Sequence, residues 1–304
     1  MAGMTSPDRL RDPASTDQLL SFTLPDRQAR GRIVRMGPVL GRILAAHDYP
    51  YEIKQLLAEA LVLTGLMGAL LKREGSQLTL QAQTEGGAVD LLVCDYRDGE
   101  LRGYAKFDEE RLAGLGDEPS LEELFGTGYL AVTFDLSATA ERYQGVVPLE
   151  GASLTEAVQA YFARSEQVPT LIRIAVDLRA SRPVAGGMLV QHLAEGEEGG
   201  ARLHARPEHP EWDHVAIMAG SVRPDELVDN DLPLQDLLWR LFHEEREVRV
   251  QPLGTLSRGC RCSVVHFEEV LARFPAEDRR DMRDDNGVIL VDCAFCSREF
   301  AIQD

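Results

Sequence analysis

Two closely spaced cysteine pairs near the C-terminus are the residues of this sequence best suited to chemistry. The chain has 304 residues and five cysteines. Four of the five occur in the segments "GCRCS" and "VDCAFCSREF". They are spaced as C-x-C, 30 intervening residues and C-x-x-C, at Cys260, Cys262, Cys293 and Cys296.

Four thiolates in this pattern match the ligand set of a tetrahedral zinc site, and the C-x-x-C half is typical of zinc knuckles. Zinc tolerates the tighter C-x-C half because its filled d-shell imposes no directional preference. In an extended chain, side chains two residues apart point to the same face, so both sulfurs reach one ion. We therefore predict one Zn²⁺ per chain in the reduced protein, bound by Cys260, Cys262, Cys293 and Cys296.

The close pairing also determines what oxidation of the site would do. Zinc would link two distant segments and contribute on the order of 10 kcal/mol to folding of the module. A disulfide within each pair would close only a very small ring and would not replace that long-range link. The spacing alone is equally typical of a permanent zinc staple, so a switch and a staple both remain open on this evidence.

Composition and charge restrict the surroundings of this site. The chain has 32 Lys plus Arg against 50 Asp plus Glu, and its net charge of -18 disfavours nucleic acids and anionic membranes as partners. The N-terminus lacks the apolar run of a secretory signal, and the apolar stretch 61–71 is too short to cross a bilayer. We therefore expect a cytoplasmic protein with reduced thiols, in which Cys94, within an apolar strand-like segment, is a buried and unreactive thiol.

The elements that position the cysteines are predicted from hydrophobic periodicity. "RGRIVRM" alternates as a strand does, and a long helix is predicted from Tyr51 with Gly75 as its C-cap. Four further strands are predicted in "QLTLQAQ", "VDLLVCDY", "LRGYAKF" and "GYLAVTFDL", and Ser153 is predicted to cap a helix. These patterns favour an α+β fold with an N-terminal sheet-and-helix core, a helical linker and a small C-terminal zinc-binding module.

Shifts in composition divide the chain into three predicted parts. Residues 1–195 form the core domain, with 1–18 as a flexible lead-in, residues 196–256 form an amphipathic helical linker, and residues 257–304 form the zinc module. Apolar residues in "DLPLQDLLWRLFHEERE" recur at helical spacing and require a surface to pack against. The predicted apolar face of the linker consists of Leu234, Leu237, Leu238, Trp239, Leu241 and Phe242.

Longer segments of the chain resemble one known family. The sequences "CRCS…CAFC", "LRGYAKF", "GTGYLAVTF", "ERYQGVVPLEG", "YFARSEQVPT", "AGGMLVQHL" and "LLWRLFHEE" are similar, in this order, to those of the heat-shock protein 33 family of redox-regulated bacterial chaperones. The likeness extends from about residue 20 to the end of the chain. The segment Val264–Val270 departs from the family in having little basic character.

This resemblance implies a stress-response chaperone that acts as a holdase without ATP and is not an enzyme. It implies that the reduced protein binds zinc and is inactive, and that oxidation forms the disulfides Cys260–Cys262 and Cys293–Cys296 and releases the metal. The zinc module and the linker then unfold, and the exposed apolar surface binds unfolding client proteins. The active form is implied to be a homodimer.

Two other functions are consistent with paired cysteines. A zinc-ribbon nucleic-acid binder or transcription regulator is the main alternative, but residues 257–304 contain seven Arg, no Lys and ten Asp plus Glu, so a basic face is missing. A thiol-disulfide oxidoreductase would place the first cysteine of "CAFC" at the N-terminus of a helix. Here strand-like segments flank the motif, which predicts a knuckle on a hairpin.

Overall fold

The structure, a computed structural model, describes residues 16–116, 119–137, 141–180, 182–193 and 210–303. Its strands are β1 Gln18–Leu24, β2 Ala29–Met36, β3 Gln77–Gly86, β4 Val89–Arg97, β5 Glu100–Phe107, β6 Gly126–Leu136, β7 Glu141–Pro148, β8 Thr170–Asp177, β9 Val184–His192, β10 Arg249–Thr255, β11 Ser257–Arg258, β12 Val288–Asp292 and β13 Glu299–Gln303. Its α-helices are α1 Pro38–Leu44, α2 Tyr51–Gly68, α3 Glu109–Ala113, α4 Leu121–Phe125, α5 Leu154–Tyr161, α6 Pro210–Gly220, α7 Pro224–Val228, α8 Leu234–Phe242, α9 Val264–Leu271 and α10 Ala276–Asp281.

Two sheets form most of the molecule. The five-stranded sheet has the order β10-β1-β2-β9-β8, and all of its neighbouring strands are antiparallel. The six-stranded sheet has the order β11-β5-β4-β3-β6-β7 and is antiparallel except for the short pair of β11 with β5. A separate hairpin of β12 and β13 lies near the C-terminus.

Helix α2 fills the space between the two sheets. Every residue from Ala60 to Gly68 is buried, and the helix packs on strands of both sheets. Its apolar side chains join those of Val34 and Leu189 from one sheet and Leu80 and Val132 from the other in a single core. A helix that is apolar on all sides is expected at such a fully enclosed position.

The end of α2 differs from the predicted one. The helix stops at Gly68 instead of continuing to Gly75, and Arg32 Nε donates a hydrogen bond to the carbonyl oxygen of Ala69 at 2.9 Å. The ring of Tyr96 lies only 2.2 Å from where a Cβ on Gly68 would be, so only glycine fits there. Gly75 instead serves a turn before β3, where its φ is +77° and its N–H donates to Asp98.

The predicted flexible lead-in, 1–18, lies mostly outside the described residues, which begin at 16. Residues 16–18 differ from the prediction because Asp17 is only 6% exposed and its carboxylate caps the first turn of α1. It accepts hydrogen bonds from the backbone N–H groups of Gly37 at 2.8 Å and Val39 at 3.0 Å. Burial raises the pKa of Asp17, although these two N–H groups oppose the shift. These bonds fix Asp17 to the core.

The segment predicted as a linker, 196–256, contains helices α6, α7 and α8 and, in addition, strand β10. The predicted boundary at 195 lies in 194–209, outside the described residues. Strand β10 was not predicted; it pairs with β1 at the edge of the five-stranded sheet, from Thr23 opposite Arg249 to Gln18 opposite Thr255. Among the helices of the described residues, none is long and apolar enough to span a membrane.

The last part of the chain is a small unit built from α9, α10 and the β12–β13 hairpin. Its own core is a cluster of three buried apolar side chains, and Phe267, Val291 and Phe300 pack around them. The three are Leu271, Ile289 and Ile302. The predicted α+β class, with a sheet-and-helix core and a C-terminal unit that carries the cysteines, is confirmed.

Candidate metal centre and the covered sheet face

The first cysteine pair follows directly from the six-stranded sheet. Strand β11 places Arg258 beside Leu101, and the N–H of Gly259 continues this pairing by donating to the Leu101 carbonyl at 2.9 Å. A side chain at Gly259 would collide with Glu100, whose Cβ lies 2.4 Å from the position of an added Cβ. The chain then passes through Cys260 and Cys262 without regular structure before α9 begins, and Ser263 caps that helix.

The second pair lies in the turn of the β12–β13 hairpin, as the knuckle prediction requires. The N–H of Cys293 donates to the carbonyl of Arg298 at 2.9 Å, and the Cys293 carbonyl accepts from Cys296 at 3.1 Å and Ser297 at 2.8 Å. These bonds form a tight turn, from which both sulfurs approach those of the first pair. Cys293 is buried within a hairpin and is not at a helix N-terminus, so the arrangement that the oxidoreductase alternative requires is absent here.

The four sulfur atoms of the two pairs form one cluster. All lie within 4.8 Å of one another, and the Sγ–Sγ distances are 3.3 Å for Cys260–Cys262 and 3.5 Å for both Cys260–Cys293 and Cys262–Cys296. Zinc–sulfur bonds of about 2.3 Å would place the corners of a tetrahedron about 3.8 Å apart. Small outward shifts of the sulfurs would therefore accommodate one ion, and the ligand set and geometry fit zinc.

The protein environment shifts the pKa values of the cluster thiols in different directions. Burial and the neighbouring thiols raise the pKa of Cys262, and burial also raises the pKa of Cys293. At Cys296 burial acts in the same direction, but the backbone N–H of Arg298 and the other three thiols outweigh it and lower the pKa to about 7. Since metals bind thiolates, the lowered pKa of Cys296 favours cation binding at neutral pH.

Side chains around the cysteines fix the cluster to the core domain. Arg261, between the first two cysteines, points away from them and donates to Gln77 at 2.5 Å, with the buried carboxylate of Asp95 at 3.5 Å. Asp95 also pairs with Arg102 at 2.5 Å, and the Arg102 guanidinium lies 4.0 Å from the centre of the Phe295 ring. A cation over an aromatic face is attractive, so the knuckle is held against β5.

The same knuckle contacts the turn after α1. The Ser297 hydroxyl donates to the Ala46 carbonyl at 2.5 Å, and the Nε2 atom of His47 lies 2.7 Å from the Ala294 carbonyl. Sequence reasoning did not find these contacts, because residues about 250 positions apart meet only in the folded chain. Together with Arg102 and Phe295 they couple the cysteine cluster directly to the core.

Cys94 lies in β4, is not a member of the cluster, and is fully buried. Burial strongly raises the pKa of its thiol, with a further contribution from Asp95, so it remains protonated and unreactive. Replacing it with serine is expected to cost about 1–3 kcal/mol of stability, because a hydroxyl enters an apolar site. Zinc content and oxidation of the four-cysteine cluster should be unchanged in Cys94→Ser. Metal analysis and thiol titration would test this, and loss of either property in a folded variant would show that Cys94 participates.

The linker helices cover one face of the five-stranded sheet. This covered face consists of Leu20, Phe22, Leu24, Ile33, Met188 and Val190, all at most 2% exposed. Against it pack Leu234, Leu237, Leu238, Leu241 and Phe242, and the rings of Phe22 and Phe242 are 5.6 Å apart. Burial of each such side chain contributes about 1.5–3 kcal/mol.

The prediction for Trp239 differs from the structure. Its side chain is 66% exposed and stacks on His243, the residue that directly follows α8, with ring centres 5.1 Å apart. A step of about 100° from Leu238 carries position 239 out of the buried stripe, so the apolar character of tryptophan was misleading. The tryptophan that does pack with the covered face is Trp212, in α6.

Charged residues tie the linker to the edge of this face. Arg27, in the turn between β1 and β2, forms ion pairs with Glu245 at 2.8 Å and with Glu211, and Glu245 also accepts from His214 at 2.7 Å. Burial of Glu245 opposes its ionisation, but Arg27 and His214 outweigh this and lower its pKa. This clasp of Arg27, Glu211, His214 and Glu245 has no signature in the sequence, because its members come from three separate segments.

Comparison with known proteins covers nearly the whole chain. The family model described as Hsp33 protein matches residues 17–303. The 33 kDa chaperonin of Caulobacter vibrioides is 37% identical over 294 residues, which are 94% of each chain, and that of Serratia proteamaculans is 33% identical over 93% of this chain and 91% of its own. The crystal structure of the 33 kDa chaperonin from Thermotoga maritima shares the fold, with a TM-score of 0.75 and 22% identity over 94% of this chain and 95% of that one.

The resemblance seen in the short sequence segments is therefore confirmed over residues 17–303. Both cysteine pairs and the covered sheet face lie within the matched range. The chain belongs to the Hsp33 family.

Proposed function

We propose that this protein is a redox-regulated holdase chaperone that binds unfolding client proteins without ATP. The observation that supports this most strongly is the arrangement of three parts in sequence: a large apolar sheet face, the linker that covers it and, directly after the linker, the four-cysteine cluster. A change at the cysteines is thereby able to control exposure of the apolar face. Large apolar surfaces that become accessible bind other apolar chains.

In the proposed resting state the cluster of Cys260, Cys262, Cys293 and Cys296 holds one Zn²⁺, which supplies the link between the two halves of the C-terminal unit. In the proposed active state the disulfides Cys260–Cys262 and Cys293–Cys296 are formed. For each disulfide, two of the metal-bound thiolates would give up two electrons to one hydrogen peroxide molecule, which is reduced to two hydroxide ions, and Zn²⁺ is released once both disulfides have formed. Sulfurs joined in this way no longer hold the ion.

Loss of the link would then free the linker. The small core of Leu271, Ile289 and Ile302 is insufficient to keep the C-terminal unit folded without the metal. Strands β10 and β11 connect α8 to the C-terminal unit and pair with the two sheets. Unfolding of the unit would therefore destabilise the segment that holds α8 in place. We further propose that the active form is a cytoplasmic homodimer with no catalytic activity and no affinity for nucleic acids or membranes.

Aggregation of a thermally unfolded test protein distinguishes this function from the alternatives. The oxidised, zinc-free chain should suppress light scattering at stoichiometric amounts without ATP, whereas the reduced, zinc-loaded chain should not. Equal suppression by both forms would contradict the redox control, and no suppression by either would contradict the chaperone function. The nucleic-acid alternative predicts that the reduced form binds DNA or RNA, which a parallel filter-binding assay would detect.

The tryptophans report release of the linker separately from chaperone activity. The chain has two, Trp212 and Trp239, and only Trp212 packs with the covered face. In Trp239→Phe, emission from Trp212 is expected to shift to the red on oxidation with mild heating, since its ring moves into water. In Trp212→Phe, the already exposed Trp239 should show little shift. Unchanged emission from Trp212 while client binding appears would mean that clients bind with the linker still in place.

A further inference from the structure

Arg35, in β2, is a buried arginine that binds main-chain carbonyl groups. It is 5% exposed and faces the linker side of the five-stranded sheet, as Ile33 does. Its guanidinium donates to Leu227 at 2.9 Å, Leu232 at 2.6 Å and Glu226 at 2.8 Å, in each case to the carbonyl oxygen. Within the described residues no carboxylate forms an ion pair with it.

The position opposite Arg35 is shaped to admit one of these carbonyls. Gly186, in β9, is paired with Arg35 across the sheet. A Cβ on Gly186 would lie 2.2 Å from the Leu227 carbonyl oxygen, so the absence of a side chain lets this oxygen approach the sheet. We call the Arg35 guanidinium and the open position at Gly186 the carbonyl notch.

The carbonyl notch lies beside an otherwise apolar face, and this determines what can cover that face. Burial lowers the pKa of Arg35 to about 10, with partial compensation by Asp229, so the guanidinium remains charged at neutral pH. A buried charge without acceptors is costly. Any chain that covers this region of the face in place of the linker must therefore supply acceptors to Arg35.

The linker supplies these acceptors from the end of a short helix and the turn that follows it. Glu226 and Leu227 belong to α7, and Leu232 follows the helix by a few residues. The last carbonyls of any helix lack intrahelical partners, and every polypeptide carries such groups at helix ends and turns. Acceptors of this type place no demand on the sequence of the partner.

We propose that, in the activated chain, the carbonyl notch binds main-chain carbonyl groups of the client, in place of those of Glu226, Leu227 and Leu232. This inference rests on the proposed chaperone function and adds a polar anchor to it. The apolar face selects clients by their hydrophobic side chains, and the carbonyl notch orients them through groups that all clients share. The linker thus occupies the site as a client would.

The test exploits two effects of opposite sign in Arg35→Gln. Loss of the guanidinium weakens linker docking, so the variant should be activated at lower oxidant concentration than the wild type. Once fully oxidised and free of zinc, however, it should bind an unfolded, dye-labelled apolar peptide about tenfold or more weakly, because hydrogen bonds from a charged donor are lost. Fluorescence anisotropy measures this affinity, and circular dichroism establishes that the sheets of the variant remain folded.

Arg27→Gln is the matched control. It removes an arginine that also ties down the linker, through Glu245, but that lies outside the carbonyl notch. It should ease activation in the same way and leave the affinity of the oxidised chain for the peptide unchanged. Equal affinities of Arg35→Gln and Arg27→Gln for the peptide would overturn the proposal and show that Arg35 acts only as a linker latch. Failure of the oxidised wild type to bind the peptide would instead contradict the chaperone function itself.

A second variant and a second peptide complete the test. Gly186→Ala fills the carbonyl notch and retains Arg35, so it should also weaken binding by the oxidised chain, and unchanged affinity would count against the proposal. Two peptides with the same apolar residues, one with Asn and Gln and one with Asp and Glu at the polar positions, separate carbonyl from carboxylate recognition. Arg35→Gln should lose affinity for both. A loss confined to the acidic peptide would mean that the site reads side-chain charge, and would overturn the assignment.

Discussion

Reduced protein prepared without chelators is expected to contain one zinc ion per chain, and withdrawal of that ion should unfold residues 259–303. The four sulfurs lie within 4.8 Å of one another, so one ion can bind all four. Structural zinc of this kind contributes about 10 kcal/mol or more to folding. The three buried apolar residues of the C-terminal unit contribute about 1.5–3 kcal/mol each.

That difference decides the outcome of zinc removal. The metal contributes at least as much as the whole of this small apolar core, so the C-terminal unit is expected to unfold without it. Hydrogen exchange after treatment with a chelator should therefore show loss of protection in β12, β13 and α9. Protection of α2 should persist, because its side chains lie between two sheets.

Cys94→Ser serves as the control for zinc binding, since this variant retains all four sulfurs of the cluster. It should bind the same amount of zinc as the wild type, whereas Cys296→Ser should bind it far more weakly. Absence of zinc from carefully reduced protein would refute the metal site. Full protection of β12 and β13 after zinc removal would show that the C-terminal unit folds without it, and the proposed control of the linker would then fail.

The sequence was informative where structure depends on local patterns. Alternating apolar residues predicted β2 and four strands of the six-stranded sheet, β3 to β6, but not β7 or β11. Ser153 caps α5 by accepting from the N–H of Glu156 at 3.3 Å, as predicted. The strand-like segments on both sides of "CAFC" form the β12–β13 hairpin. The cysteines of each pair are close in the sequence, so folding has to bring together only the two pairs. Each of these features involves residues that are neighbours in the chain or repeat with a fixed period.

Features that depend on distant contacts were missed. Strand β10 is exposed along its whole length and carries no apolar alternation, so only its pairing with β1 identifies it. The clasp of Arg27 with Glu245 joins residues 218 positions apart. Arg35 resembles any other arginine of an amphipathic strand until α7 is placed above it. The roles of such residues depend on which distant segments pack against them, and a single sequence does not reveal those contacts.

Removing a side chain where α8 packs on the covered face is also expected to have a large effect on chaperone activity. Phe242 is 1% exposed and packs on Phe22, so Phe242→Ala is expected to weaken linker docking by about 3–5 kcal/mol. This corresponds to a shift of roughly a hundredfold or more toward the released linker, since about 1.4 kcal/mol is a factor of ten. The cysteines are untouched, so the reduced variant should keep its zinc and yet suppress aggregation.

Trp239→Ala is the matched control, because it removes a larger aromatic side chain from the same helix at a position that is 66% exposed. It should leave the reduced chain inactive. The comparison tests the proposed division of roles, in which the covered face binds clients and the metal centre acts only by keeping the linker on that face. If reduced Phe242→Ala exposes its linker to hydrogen exchange and still fails to bind clients, release of the linker is insufficient, and oxidation must create the client site elsewhere. If Phe242→Ala and Trp239→Ala activate equally, the buried stripe of α8 is not what holds the linker in place.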